Sequence, residues 1–333
     1  MKFALTPDLL FNTRQSRQNA ALRMRLETAG QEVITGRRSD VVQATNGRMG
    51  DAFLLDKAAS DIERHRGTTN LAEARLNSAA EAVSLIRETV AGIGADGRAS
   101  LAQGGPNDLD LLAGNAADRL NQTMSALGRR TGTRHLFSGT NTTGVPLASP
   151  ETLQADVDAL IAAAPDVATA ITAVEDYFNA VGGGFETNIY QGSTEDGPRL
   201  HVTDERSYDP LPKADNAVFR DLMRGYAMIA GASQFTDDAD RAAMMEAGLD
   251  LLDTAAEQTI SLETRLGAAQ QSIERIGEEF TREASLIAAA QDSLLGRDSF
   301  DAAAELQALE GQLEASYTVT GRLGSLSLAN FLR

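Results

Sequence analysis

A mainly α fold is what the sequence predicts: a long antiparallel coiled coil or helical bundle formed by the N- and C-terminal halves, with a small α+β middle domain inserted. Two heptad seams and a break in character between them carry the prediction. Ile62, Thr69, Leu76, Val83 and Val90 recur seven residues apart, interleaved with Ala72, Ala79, Ile86 and Ile93. Near the other end Leu262, Leu266, Ala269, Ile273, Ile276 and Phe280 step by four and three, while Arg265, Glu274 and Glu278 fill the remaining faces. Neither helix can hide its stripe from water alone, so the two halves are expected to pack against each other and leave the middle as an insertion.

Taken in order, Leu22, Leu26, Ala29 and Val33 keep the helical step, which predicts a first helix over 8–35 with Pro7 just outside it and Gly36 as its C-cap. Arg37-Arg38-Ser39-Asp40 opens a linker rich in turn formers, among them Asn46, Gly47 and Gly50. The first seam then predicts a helix over 49–93, ended by Gly92, Gly94 and Gly97 with Asp96. Gly104-Gly105-Pro106-Asn107 is the strongest break in this half, and a new helix is expected from Asn107 or Asp108, carrying Leu109, Leu112, Ala116, Leu120, Thr123 and Leu127 on one face. Leu136-Phe137-Ser138-Gly139-Thr140 reads as a short strand or turn. Two modest helices are expected within 150–181. The runs 187–191 and 199–203, flanking an Asp196-Gly197 turn signal, read as a hairpin. Helices resume near Asn216, with Phe219, Leu222, Tyr226 and Ile229 on one face. The last helix carries Ala302, Leu306, Leu309 and Leu313.

Composition narrows the function classes. The formal charge of -17 argues against phosphate-driven nucleic-acid binding, which needs Lys and Arg to release counterions. Charge is also uneven: residues 1–60 carry nine Lys/Arg against six Asp/Glu, and residues 145–215 three against thirteen, so the acidic middle is read as solvent-facing. No Cys occurs, which removes disulfides, thiolate metal sites and a Cys nucleophile. No run of 18 apolar residues exists, and Pro7 and Asp8 interrupt what would be a signal-peptide core, so any export is expected to proceed without a cleaved signal, and no membrane insertion is expected.

Candidate chemical sites reduce to structural readings. His65 lies on the first seam where Ala follows at seven and fourteen residues, and is read as a packed or half-exposed histidine. His135 and His201 have no second histidine at ligand spacing. Asp204-Glu205 beside His201 is read as a solvated acidic face rather than an acid–base pair. Gly182-Gly183-Gly184 and Gly104-Gly105 lack the Lys-Ser/Thr of a phosphate cradle and read as hinges. No catalytic residue, cofactor or metal is expected. Arg14, Arg17, Arg23 and Arg25 are read as contacts to acidic neighbours in a polymer rather than as a membrane anchor. Both extreme ends are apolar, with Phe3, Leu5 and Leu9 at one and Leu323, Leu326, Leu328, Phe331 and Leu332 at the other. A fraying terminus has no use for such side chains unless a partner covers them, so these residues are the candidate assembly interface.

Several motifs then carry a resemblance. Thr35-Gly36-Arg37-Arg38 after a helix resembles the Thr/Ser-Gly-Lys-Arg turn of bacterial flagellins and their relatives. Gly132-Thr133-Arg134-His135-Leu136-Phe137-Ser138-Gly139-Thr140 resembles the Gly-x-Arg-Tyr-Leu-Phe-Ser/Ala-Gly segment of the FlgL-type hook-filament junction proteins. Tyr190-Gln191-Gly192 resembles those proteins' Tyr-Gln-Gly, and the closing Ser-Leu-x-x-Phe-Leu-Arg resembles their end. Ser39-Asp40-Val41-Val42 departs from the Ser-Asp-Asp-Pro-like loop that follows the turn in many relatives. The resemblance implies a non-enzymatic structural subunit of the bacterial flagellum at the junction of hook and filament. It implies extracellular localisation through the flagellar type III export channel. The implied partners are copies of itself in a ring, an adjacent hook-associated protein and flagellin, and an export chaperone. The alternatives are flagellin itself and a non-flagellar coiled-coil adaptor. The expected division is 1–40 as an N-terminal assembly and export segment, 41–140 and 216–299 as the two halves of the helical core, 141–215 as the outer α+β domain, and 300–333 as a C-terminal assembly segment.

Overall fold

The computed structural model describes residues 6–331 apart from 46, 48, 104, 204 and 205, with side chains described between 13 and 322 apart from 103. In chain order the helices are α1 (Thr6–Thr35), α2 (Val41–Ala44), α3 (Met49–Val90), α4 (Ile93–Gln103) and α5 (Pro106–Leu127), then α6 (Pro150–Ala163), α7 (Val167–Asn179), α8 (Ala217–Gly231), α9 (Asp238–Leu295) and α10 (Ser299–Phe331). Two small antiparallel ribbons join them: β1 (Arg130–Thr131) with β2 (Arg134–His135), and β3 (Leu200–His201) with β4 (Ser207–Tyr208). The chain divides into two compact units, residues 1–64 with 280–333 and residues 65–279.

In the larger unit α3 and α9 run antiparallel. Asn77 accepts from Gln270 at 2.7 Å, and Arg87 pairs with Glu263 at 2.8 Å. Both seams are buried as their spacing requires: Leu76, Val83 and Ile86 on one helix, Leu262, Leu266, Ile273 and Ile276 on the other. α5 packs along α8, with Leu109, Leu112, Ala116, Leu120 and Leu127 all buried. Inside this bundle lies a polar layer: Tyr226 donates to Thr89 Oγ1 at 3.3 Å, the Thr89 and Thr123 hydroxyls meet at 3.3 Å, and the Thr89 hydroxyl donates to the Ile86 carbonyl at 2.7 Å. Burial pushes the Tyr226 phenol up to about 12.

Three local expectations are corrected. Gly92 does end α3, with φ 86°, but Gly94 and Gly97 lie inside α4 instead of ending a helix. A Cβ on Gly97 would stand 2.7 Å from Leu249 Cδ2, so the glycine lets α4 approach α9 closely. α5 is entered from Gly105, with Pro106 in its first turn, rather than capped by Asn107 or Asp108. The hairpin of 187–191 with 199–203 does not form. Phe185–Ile189 is a single π turn that buries Phe185 and Ile189 on one face, and β3 pairs instead with β4, Leu200 opposite Tyr208.

Candidate functional site

Two groups of motif residues can be located, one in each unit. In the larger unit the two motif segments, far apart in sequence, are brought together. Leu136, Phe137, Ser138 and Gly139 are all buried. Phe137 meets Phe219 edge-on, ring centres 5.9 Å apart, and its carbonyl accepts from Ala214 N–H at 2.8 Å. The Ser138 carbonyl accepts from Ser193 N–H at 3.0 Å, and Thr140 donates to the Ser193 hydroxyl at 2.7 Å. Tyr190 donates to the Ser193 carbonyl at 2.8 Å, and Gln191 N–H to the Pro146 carbonyl at 2.9 Å. Burial raises the Tyr190 phenol above its ordinary value, with Asp215 and Asp196 adding to the shift. Gly139 sits at φ 65°, and a Cβ there would lie 2.5 Å from the Glu195 carbonyl oxygen. Gly192 is crossed by the Tyr190 phenol, 2.4 Å from where a Cβ would be. Phe137, Gly139, Tyr190, Gln191 and Gly192 therefore tie segments of the chain to one another. Arg134 is exposed and borders a cleft with Arg75, His135 and Leu200, and the described residues lining that cleft include no carboxylate. The His135 ring is occupied by the Gly128 carbonyl at 3.0 Å.

In the smaller unit α1 and α10 run antiparallel. Gln15 donates to Ser316 at 3.3 Å, the Ser316 hydroxyl donates to Asn19, and Arg23 donates to the Tyr317 phenol at 2.7 Å while its guanidinium lies 5.5 Å above that ring. Where α1 ends, Gly36 takes φ 65° as the expected left-handed cap. The turn it makes pairs with the turn between α9 and α10: Arg38 N–H donates to the Leu295 carbonyl at 2.7 Å, Arg297 N–H to the Gly36 carbonyl at 2.9 Å, and Arg37 faces Gly296. Arg37 also donates to Gln291 at 3.1 Å. The Arg297 guanidinium pairs with both Glu32 and Glu305, and Glu32 is 6% exposed. Glu32, Arg297 and Glu305 were not singled out from the sequence. No sequence signal singles them out: the Gly-Arg of 296–297 repeats that of 36–37, but the same dipeptide also stands at 47–48, 97–98, 128–129 and 321–322.

Ten of the sixteen large apolar side chains exposed among the described residues belong to this smaller unit, including Ile34 at 85%, Phe300 at 80%, Leu286 at 71% and Phe53 at 69%. Such a surplus marks a candidate interaction surface. Of the candidate interface residues, Phe3, Leu5 and Leu332 lie outside the described residues, as do the side chains of Leu9, Leu323, Leu326, Leu328 and Phe331. Asp204 and Glu205 also lie outside the described residues, while His201 is exposed. No cluster of three or more potential metal ligands occurs among the described residues, and none of their helices is long and apolar enough to cross a membrane.

Residues 249–332 match the family described as the bacterial flagellin C-terminal helical region. The architecture of the chain is similar to that of FlgL from Bacillus cereus, with a TM-score of 0.53 at 11% identity, covering 72% of this chain and 99% of that one. A protein of Vibrio parahaemolyticus assigned as flagellar hook-associated aligns with a TM-score of 0.42 at 12% identity, over 76% of this chain and 96% of that one. The assignment of fold rests on the former. No curated protein matches the chain in sequence. The mainly α fold and the flagellin-type resemblance expected from the motifs are borne out.

Proposed function

We propose that this protein is a structural subunit of the bacterial flagellum, a junction protein that joins hook to filament through polymerising terminal helices. The observation that carries the reading is the smaller unit itself. The two ends of the chain pair antiparallel there, the C-terminal one inside the stretch that matches the flagellin C-terminal helical region, and most of the large apolar side chains exposed among the described residues are gathered on that unit. Flagellum membership implies an extracellular location, reached through the flagellar type III channel without a cleaved signal. Its partners are then copies of itself in a ring, an adjacent hook-associated protein, flagellin, and an export chaperone. The family match at 249–332 equally suits flagellin, the second reading.

Two experiments test this. Leu328→Asp combined with Phe331→Asp is expected to abolish sedimentable polymer while leaving the helix content and melting of the larger unit unchanged; loss of the whole cooperative transition would show that the tail belongs to the monomer's core. Immunogold labelling of intact flagella is expected to place the chain in a single band between hook and filament. Label along the entire filament would establish flagellin instead, and absence of the chain from flagella would defeat both readings.

A further inference from the structure

α1 and α10 are 30 and 33 residues long, yet the apolar side chains buried between residues 13 and 35 and between 299 and 322 are only Ala29, Ala302 and Leu309. The remaining described contacts along the pair are half-buried aliphatic side chains, among them Leu22, Leu26, Val33, Leu306 and Leu313, an exposed Arg25–Glu305 ion pair at 3.8 Å, and amide, hydroxyl and ring contacts at Gln15, Asn19, Arg23, Ser316 and Tyr317, each of small net worth. Among the described residues full burial along the pair is thus confined to three positions. At one end of the pair the interactions are of another kind. Two backbone hydrogen bonds join the turns in both directions, Arg38 to Leu295 and Arg297 to Gly36. One guanidinium, that of Arg297, bridges Glu32 on α1 and Glu305 on α10, and Glu32 also accepts the Ser39 N–H at 2.7 Å. Glu32 is buried, so losing its cation leaves its charge in the wall of a polar cleft whose remaining cations are Arg25 and Arg38.

We propose that the paired turns, with Arg297 between Glu32 and Glu305, form a latch that makes α1 and α10 a single cooperative element. Neither end orders without the other. Coupling of this kind is reciprocal, so a binder that holds residues 299–333 open also keeps α1 open, and one event governs both ends of the chain. The consequence for polymerisation rests on the function proposed above; the latch does not.

The test is amide hydrogen exchange on the full-length chain, as monomer and as sedimented polymer, comparing wild type with Arg297→Ala, Arg297→Lys and the paired Glu32→Leu/Arg297→Leu. Peptides within 13–24 are the readout, because they are remote in sequence from both turns. Arg297→Ala is expected to lower protection at 13–24 and at 310–322 by a common factor of roughly a hundred, with residues 65–279 unchanged. Arg297→Lys, which keeps the charge and loses the fork that reaches two carboxylates, is expected to fall between. The paired Leu variant removes the stranded charge and is expected to recover at least tenfold over Arg297→Ala.

Loss confined to the residues flanking 297, loss in α10 alone, or no recovery in the paired variant overturns the latch. So does a wild-type chain whose 13–24 segment is unprotected in both states. Where that protection exists only in the polymer, the variants are compared there. A wild-type chain that is protected at 13–24 but never sediments leaves the latch standing and removes the polymerisation reading.

Discussion

Replacing Phe137 by Ala separates the role of the motif residues from that of the ends. The side chain is 0% exposed, sits edge-on to Phe219 at 5.9 Å, and is among the largest fully buried side chains of the described residues. Removing a buried phenyl ring costs about 3–5 kcal/mol in transfer and cavity terms. The edge-on pair adds roughly 0.5–1.5 kcal/mol, partly counted already. Its backbone pairing to Ala214 survives the substitution, so the loss is confined to packing. The expected penalty is about 4 kcal/mol, which for a unit of this size lowers the melting temperature by roughly 8–16 °C. Differential scanning calorimetry together with urea titration measures it, and Leu111→Ala, at 63% exposure, is the control expected within about 0.5 kcal/mol of wild type. Below the lowered melting temperature the Phe137→Ala chain is expected to polymerise at wild-type concentrations. A penalty under about 1 kcal/mol would refute the tight cavity at Phe137, and a polymerisation defect in the still-folded variant would refute the assignment of this motif to the body rather than the interface.

Two glycines with the same φ of 65° are expected to respond differently to alanine. A Cβ on Gly36 would meet nothing within 4 Å, so Gly36→Ala costs only the intrinsic left-handed penalty of about 1–2 kcal/mol and Gly36→Asn less, read from exchange protection in α1. Gly139→Ala adds a 2.5 Å approach to the Glu195 carbonyl and is expected to exceed that range in urea melts of the larger unit. Alkaline stability provides another check. Burial raises the Tyr226 phenol to about 12 against an unfolded value near 10, so its contribution is intact below pH ~10 and is lost as pH rises toward 12. Tyr226→Phe is expected to flatten the alkaline limb of stability in that window, followed by circular dichroism. An unchanged limb would place the titration elsewhere.

Much of the helical architecture was legible because a buried stripe on an α-helix must repeat near 3.6 residues. Leu76, Val83, Leu262 and Ile273 announce themselves by spacing and are buried as that spacing demands. Helix ends were legible where the chemistry was local, as at Gly36 and at Asn216, whose side chain accepts from Val218 N–H at 3.1 Å. The failures share a cause. Gly97 looks like a terminator until Leu249, distant in sequence, is seen to occupy the place of its side chain. Phe185 and Ile189 fit a strand face or a helical face equally at that length, and tertiary burial chose the π turn. Arg297 and Glu32 have no periodic signature at all, because an ion pair between the ends of a chain is specified by two side chains and by nothing between them.

The same distinction bears on what the short motifs mean. A motif such as Leu136–Gly139 or Tyr190–Gly192 is recognisable because each position is constrained by a close neighbour: a ring against Phe219, a left-handed turn beside the Glu195 carbonyl, a phenol crossing Gly192. Constraints of that kind come from an interior, so these motifs report how the body of the protein is tied together. A surface that meets another subunit needs apolar area and charge in the right places, but few positions with a single acceptable residue, and it leaves a weaker mark on short stretches of sequence. The exposed Ile34, Phe53, Leu286 and Phe300 fit that description: none belongs to a recognisable motif, and all lie in the unit made from the two ends of the chain. The interior motifs therefore report on the body of the protein, whereas Ile34, Phe53, Leu286 and Phe300, which no motif contains, are candidate contact positions beside Leu328 and Phe331 of the closing motif.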